Sequence, residues 1–402
     1  MDGITTIFII PILLIALITV YLISKFLKIG APVHRYSSID GLRGFLAIFV
    51  FISHSALWYF RIHTDIGGEG LQIFGNLGPA GVSFFFMITS FLFFSKLIEA
   101  YSGKLDWLKL YVSRITRIMP LYTLVVFILL TVVAIGSHFV LRESLFDLLK
   151  QAGQWMLFME PDVNKVGSTR LIIYGVQWSL AFEWMFYCSL PILGALFFRI
   201  RMSALTIILA SVFLVIFLYI IFEFYDFRAW NGMIQFLGGL PAAFLSKNEK
   251  LRRICSKTWM SFLLLFLFVI ILLYYPSSFS PIPFLIITVL FTGIACGNDL
   301  FGILSHRTCR LLGQISYSIY LLHGLVLFTM FYFIIGFNNI ANLTIIPYWG
   351  VICLCTMPLV IVTSLTFYFV EKPGIDSAKR VTEKVRRFFS YAPSATLPKA
   401  DG

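Results

Sequence analysis

Three ionisable side chains, His54, Glu183 and His323, stand in stretches whose other residues suit hydrocarbon: FLAIFVFISHSALW, QWSLAFEWMFY and ISYSIYLLHGLV. A charge at mid-bilayer costs at least about 2.5–3.5 kcal/mol on insertion scales, so each needs a reason. Eleven residues separate Arg43 from His54. At about 100° per residue they make three turns and about 20°, which places both side chains on one helical stripe. The same separation is roughly 16 Å along the axis, about half of a hydrocarbon core about 30 Å thick. With Arg43 at one interface, His54 stands near the middle.

An imidazole with an ordinary pKa of about 6.5 can take a proton from an attacking hydroxyl at neutral pH, which makes His54 a candidate general base. The bland alternative is a neutral ring hydrogen-bonded between helices. Glu183, in a crossing that starts near Tyr174, lies roughly 13 Å deep, a depth like that of His54. Its carboxylate needs a partner, and pairing with a histidine would fix the ring tautomer and steady an imidazolium; a buried structural pair is the other reading. Arg114 and Arg117, three apart in SRITRIMPLY, share a face where the chain re-enters the bilayer. With Arg43 they form a candidate cationic floor for phosphates, which guanidiniums grip bidentately; snorkelling anchors would look the same. Asp40 belongs to this inner-edge cluster. His323, beside Gly324 on an aromatic-rich helix, reads equally well as a packing donor.

Such groups need a membrane framework, and composition supplies one. The 402-residue chain is 59% hydrophobic and 12% charged, with a mean hydropathy of +0.91, which excludes a soluble core. Without ten-residue alternating strands, hydrogen bonding in lipid favours helices, so the expected class is an all-α polytopic membrane protein. Apolar runs predict eleven crossings, near 4–24, 42–60, 79–98, 118–140, 174–197, 203–224, 232–246, 259–275, 283–300, 314–336 and 348–370. Placing alternate loops on opposite sides gathers 25 of the 31 Lys and Arg residues on one side. The net charge of +12 therefore reads as a positive-inside bias and not as a nucleic-acid patch, and it makes that side cytoplasmic. Cys188, Cys255, Cys296, Cys309, Cys353 and Cys355 lack paired metal-ligand spacing and read as reduced packing residues, with no metal expected.

Three parts follow from this layout. Residues 1–36 give an added N-terminal crossing and a cytoplasmic linker, residues 37–371 the membrane domain, and residues 372–402 a basic cytoplasmic tail, read as a helix on anionic lipid followed by disorder. The outer loop from about Leu141 to Ile173 is the most polar stretch between crossings. Its length suits a binding loop or lid, and GQWMLFM within it is apolar enough to dip back into the interface.

Several of these stretches together resemble the acyltransferase 3 family, polytopic membrane O-acyltransferases of bacterial surface polysaccharides and related glycans. Arg43 and His54 match its arginine, ten residues, histidine motif. GPAGVSFFFMITSFL resembles its second motif, with Ser90 where glycine is usual. Arg114 and Arg117 match its arginine, two residues, arginine motif, and Trp178, Ser179, Leu180, Glu183 and Tyr187 its Trp-Ser-Leu, two residues, Glu pattern. LGQISYSIYLLHGLV closes the set, over about Ser37 to Glu371. The added first crossing departs from the family's ten-helix bundle. Only about 30 residues of this sequence follow the last expected span, so a single membrane-embedded active site is the expectation.

The resemblance implies transfer of an acyl group, most often acetyl, from cytoplasmic acetyl-CoA or another acyl-CoA to a hydroxyl of a surface or lipid-linked glycan, lipopolysaccharide among them. It implies His54 as base or transient acyl carrier, Glu183 orienting it, and Arg43, Arg114 and Arg117 holding the donor, with Asp40, Trp178, Ser179, Tyr187 and His323 in support. The expected setting is the inner (plasma) membrane with the C-terminus cytoplasmic; the expected partners are acyl-CoA, glycan and membrane lipids, without nucleic acid. A transporter or flippase for a polar or lipid-linked substrate is the competing reading, because intramembrane His and Glu also build proton relays. No inverted hydropathy repeat is visible to favour it.

Overall fold

The computed structural model describes residues 5–30, 36–63, 72–225 and 227–390. Among them the fold is all-α, with only isolated bridges between Lys104 and Arg201 and between Val163 and Val166. The disorder expected near the C-terminus lies outside the described residues. Long helices are α1 (Ile9–Phe26), α2 (Ser37–Ile62), α3 (Gln72–Glu99), α4 (Trp107–Gly136), α6 (Trp178–Phe198) and α7 (Ala204–Phe224). α5 (Leu145–Met156) lies in the outer loop; the short α8 (Phe227–Ile234), α9 (Gly239–Leu245) and α10 (Glu249–Cys255) lead to α11 (Thr258–Tyr274) and α12 (Pro281–Ala295). α13 (Arg307–Gln314), α14 (Ser316–Thr329) with a π turn at Met330–Ile334, α15 (Phe337–Ala341), α16 (Ile345–Thr366) with a π turn at Phe367–Glu371, and α17 (Lys372–Ser390) complete the chain.

Eight of the described helices are long and apolar enough to cross a membrane, and nine if α10 and α11, bent by 74°, count as one span. The expected eleven are therefore not all reached, although each predicted run has a helical counterpart. Hydropathy counts apolar residues and is blind to breaks. The run at 232–246 contains Gly238, Gly239 and Pro241 and splits into α8, a 3-10 turn and α9. The 15-residue α12 rises about 22 Å, short of a core about 30 Å thick.

Burial separates centre from periphery. In its most apolar window 78% of α3 is buried, against 22% for α1 and for α7, whose exposed Leu and Ile side chains face lipid. α2 packs along α3 and against α13 and α14, while α1 lies on α13 and α16. Asp40 in the first turn of α2 and Arg61 in the last both complement the helix dipole. Ser90, where glycine was the usual residue, does not prevent close packing. The glycine is on the other side: a Cβ on Gly239 would come within 2.0 Å of Ser90 Oγ.

Two local expectations change. α4 begins at Trp107, capped by Asp106 accepting from the Lys109 amide at 3.0 Å, so Arg114 and Arg117 sit inside the helix and not at its mouth. The tail helix α17 packs along α4 and ties Arg386 to Asp106 in an ion pair, with Lys379, Arg380 and Lys384 exposed. It is docked on protein along one face, leaving its cations outward. The GQWMLFM segment ends α5, where the buried Trp155 donates its indole N–H to the Pro161 carbonyl at 3.0 Å.

Candidate active site

At the Arg43 end of α2, called inner after the expected positive-inside orientation, a cavity of about 100 Å³ between α2, α4, the first half of α6 and α14 is lined by Arg43, Arg114, Arg117, Ser179, Glu183, Tyr187, Tyr317 and Tyr320, with Phe85 and Phe93 among its apolar walls. Glu183 accepts a hydrogen bond from the Tyr187 hydroxyl one turn on at 2.8 Å. The cations acting on its carboxylate are Arg114, Arg117 and Arg43. Arg114 stacks its guanidinium over the Phe93 ring at 5.6 Å, and its Nε is buried with no hydrogen-bond partner. An orphaned donor in a cationic cavity fits an anionic or carbonyl-bearing ligand.

Behind Arg117 lies Glu371, fully buried, with Oε1 3.9 Å from Arg117 Nε and Oε2 accepting from Ser318 Oγ at 3.0 Å. Pro120 permits this approach. Lacking an N–H, it leaves the Thr116 carbonyl without its helical donor, and Gly374 packs there, where a Cβ would fall 2.3 Å from that oxygen.

The two histidines meet. His54 Nδ1 lies 2.7 Å from His323 Nε2, and His323 Nδ1 lies 3.1 Å from the Ile319 carbonyl. A carbonyl only accepts, so His323 Nδ1 carries the proton and His323 Nε2 accepts one from His54 Nδ1–H. This relay leaves His54 Nε2 with its lone pair, the form a base requires. His323 is fully buried and His54 half-buried. Gly324 brings the pair against the outer loop, since a Cβ there would lie 2.5 Å from the Ile173 carbonyl. The His54 ring then rests 4.5 Å from that of Tyr174.

Tyr174 belongs to a second cavity, of about 640 Å³, at the opposite end of α2, lined also by Arg61, Glu160, Arg170, Trp178, Tyr225, Asn231 and Phe279. Glu160 Oε2 stands 3.8 Å from Arg170 Nη1. Burial pushes the Glu160 carboxyl up to about 7 against the opposing charge of Arg170, and burial raises Tyr174 to about 12, so its hydroxyl stays protonated. Between the cavities, the Tyr320 hydroxyl donates at 2.8 Å to Ser179 Oγ, and its ring is 6.2 Å from His323. Neither histidine is among the lining residues of the two cavities; the pair stands between them, with Tyr320 of the inner cavity on one flank and Tyr174 of the outer cavity on the other.

Of the expected residues, Arg43, Arg114, Arg117, Ser179, Glu183 and Tyr187 line one cavity. Glu183 accepts from the Tyr187 hydroxyl within the field of three guanidiniums, and the ring partner of His54 is His323. Trp178 lines the outer cavity. Asp40 is not among the inner cavity's lining residues, though its charge reaches Arg43. The sequence reading passed over Glu371, Tyr320 and Arg61. Arg61 was findable: it lies 18 residues beyond Arg43, five whole turns at about 100° per residue, on the same stripe as His54.

The acyltransferase domain family matches residues 36–365. The chain is also 26% identical over 376 residues to the Bacillus subtilis (strain 168) protein named "Putative peptidoglycan O-acetyltransferase YrhL", covering 85% of this chain and 55% of that one. The chain thus spans about half the length of that relative. No solved structure matches it. With its several apolar helices and a family match over most of its length, the chain belongs to the acyltransferase 3 family of multi-pass membrane acyltransferases.

Proposed function

We propose that the chain is a membrane O-acyltransferase that moves an acetyl group from acetyl-CoA, entering the inner cavity, to a hydroxyl of a cell-surface glycan presented in the outer cavity. The observation that carries this reading is the His54–His323 hydrogen bond between the two cavities, with a lone pair left on His54 Nε2. The positive-inside bias supports a cytoplasmic position for the Arg43, Arg114 and Arg117 end and for the C-terminus, in the inner membrane. A cavity of about 100 Å³ suits a short acyl thioester and leaves the nucleotide end of the donor at the arginine rim. The name of the Bacillus relative extends the proposal to a peptidoglycan-type acceptor.

In this mechanism His54 Nε2 takes the proton of the acceptor hydroxyl as its oxygen attacks the thioester carbonyl. The C–O bond forms, the C–S bond breaks, and the imidazolium returns the proton to the departing thiolate. His323 keeps His54 in the competent tautomer. Arg114 Nε is a donor without a partner, available to the polarised carbonyl or to a phosphate. Glu183 and Glu371 hold the arginines apart and oriented.

The test is incorporation of acetyl from radiolabelled acetyl-CoA into glycan by isolated membranes. Label should appear with the intact chain and vanish with His54→Ala at equal protein level. Retained labelling in that variant would overturn the assignment, and solute flux without labelling would favour a transporter.

A further inference from the structure

The transfer chemistry makes no use of the charge in the outer cavity. Of its two guanidiniums, Arg170 is committed to Glu160 at 3.8 Å. Arg61 is exposed, and among the described residues no carboxylate lies within 4.0 Å of it. Its charge acts instead on the hydroxyls of Tyr174 and Tyr332. Among the described residues the cavity therefore holds one cation without a carboxylate partner, beside walls of Trp178, Phe279 and Tyr225 whose ring faces suit the apolar faces of a saccharide. Its volume lies within the range of ligand pockets.

Arg61 also stands in fixed register with the chemistry. It follows His54 by seven residues, two turns less about 20°, or about 10 Å along α2 on the same stripe. The geometry points to an anion subsite: Arg61 receives a carboxylate or phosphate carried by the acceptor glycan about 10 Å from the hydroxyl that is acylated. A planar guanidinium grips either group bidentately, with the neighbouring tyrosine hydroxyls as further donors. The subsite rests on the acyl-transfer reading and adds to it that the acceptor is anionic. Because the contact is remote from the bonds that change, it serves ground state and transition state alike, acting on the acceptor KM and not on kcat.

The test uses the full chain in isolated membranes, radiolabelled acetyl-CoA, and envelope glycan of the producing cell in three forms: untreated, carbodiimide-amidated at its carboxylates, and phosphatase-treated. Amidation or phosphate removal, whichever strips the recognised group, should raise the acceptor KM about tenfold with the parent protein, roughly the worth of one charge-assisted contact. Arg61→Gln should raise the KM for untreated glycan equally and make the three forms equivalent, with kcat and the acetyl-CoA KM unchanged; Arg61→Lys should recover part of the difference. If the parent transfers acetyl with one KM for all three forms, or Arg61→Gln keeps the parent's ratio, the subsite is wrong while acyl transfer stands. If the parent labels no form, the acyl-transfer reading falls and the subsite with it.

Discussion

The inner and outer cavities mark the two ends of the Arg43–His54–Arg61 stripe, yet they are built from different kinds of chain. The inner one, about 100 Å³, takes its polar groups from transmembrane helices and sets three arginines against buried Glu183 and Glu371, which leaves it net cationic. The outer one, about 640 Å³, draws Glu160, Arg170 and Tyr174 from the connection between α4 and α6, where the Arg170 side chain is 64% exposed. Helices hold a small site whose arginines face buried carboxylates; a loop shapes a large one whose Arg61 has no carboxylate partner among the described residues. That contrast suits a donor of fixed structure on one side and a bulky acceptor on the other.

The contrast is broken most completely at the histidine pair between the two cavities. His54→Ala should lower transfer by about 10²–10⁴-fold, the usual worth of a positioned base, with immunoblotting confirming unchanged protein level. His323→Ala should follow with a fall in kcat of about 10–100-fold, comparable to losing the partner that orients a ligating or catalytic imidazole, while His323→Gln, which keeps an acceptor, should retain more. Equal activity in His323→Ala and the parent would reduce the 2.7 Å contact to packing.

Substitution on the inner side alone should move donor kinetics and spare the acceptor. Arg114→Gln and Arg117→Gln should each raise the acetyl-CoA KM about tenfold at constant acceptor KM, since a lost charge-assisted contact is worth about 1.5–3 kcal/mol. Glu371→Gln should give a smaller rise by loosening Arg117. An unchanged donor KM in all three would leave the arginines as membrane anchors.

How far these regions can be read from sequence follows the same division. Arg43, His54, Arg114, Arg117 and Glu183 are legible because charge in an apolar run is costly and helical periodicity fixes the face on which each lies. Their partners are not. The run around Glu183 says that a carboxylate needs a partner, but its hydrogen bond goes to Tyr187 and its opposing charge comes from guanidiniums on two other helices, a tertiary arrangement invisible to spacing. His323 carried a packing reading because its partner is 269 residues away. Glu371 sat at an expected tail boundary, and only the approach of Gly374 to the Thr116 carbonyl brings it under Arg117. In the outer loop, polarity marked the stretch, but not how Glu160, Arg170 and Tyr174 converge, because irregular backbone has no period to read.

The smallest effect sharpens the outer half. Burial holds Glu160 at about 7, with Arg170 as its ion-pair partner and Tyr122 of α4 and Tyr225 after α7 as the other titratable groups within its reach. Below that pH the carboxyl is neutral and both guanidiniums act on an anionic acceptor; above it a carboxylate offsets Arg170. The acceptor KM should therefore rise a few-fold between about pH 6 and about pH 8, measured on a carboxylate-bearing glycan so that phosphate titration does not intrude. Glu160→Gln should flatten that rise. The same raised pKa has a stability consequence of definite sign: between the ordinary carboxyl range near 4.5 and about 7 the folded protein holds a proton that the unfolded chain has lost, so folding stability falls as pH climbs through that window. Thermal unfolding of the parent should decline across it relative to Glu160→Gln. A flat KM accompanied by that decline would locate the proton correctly and remove it from acceptor binding.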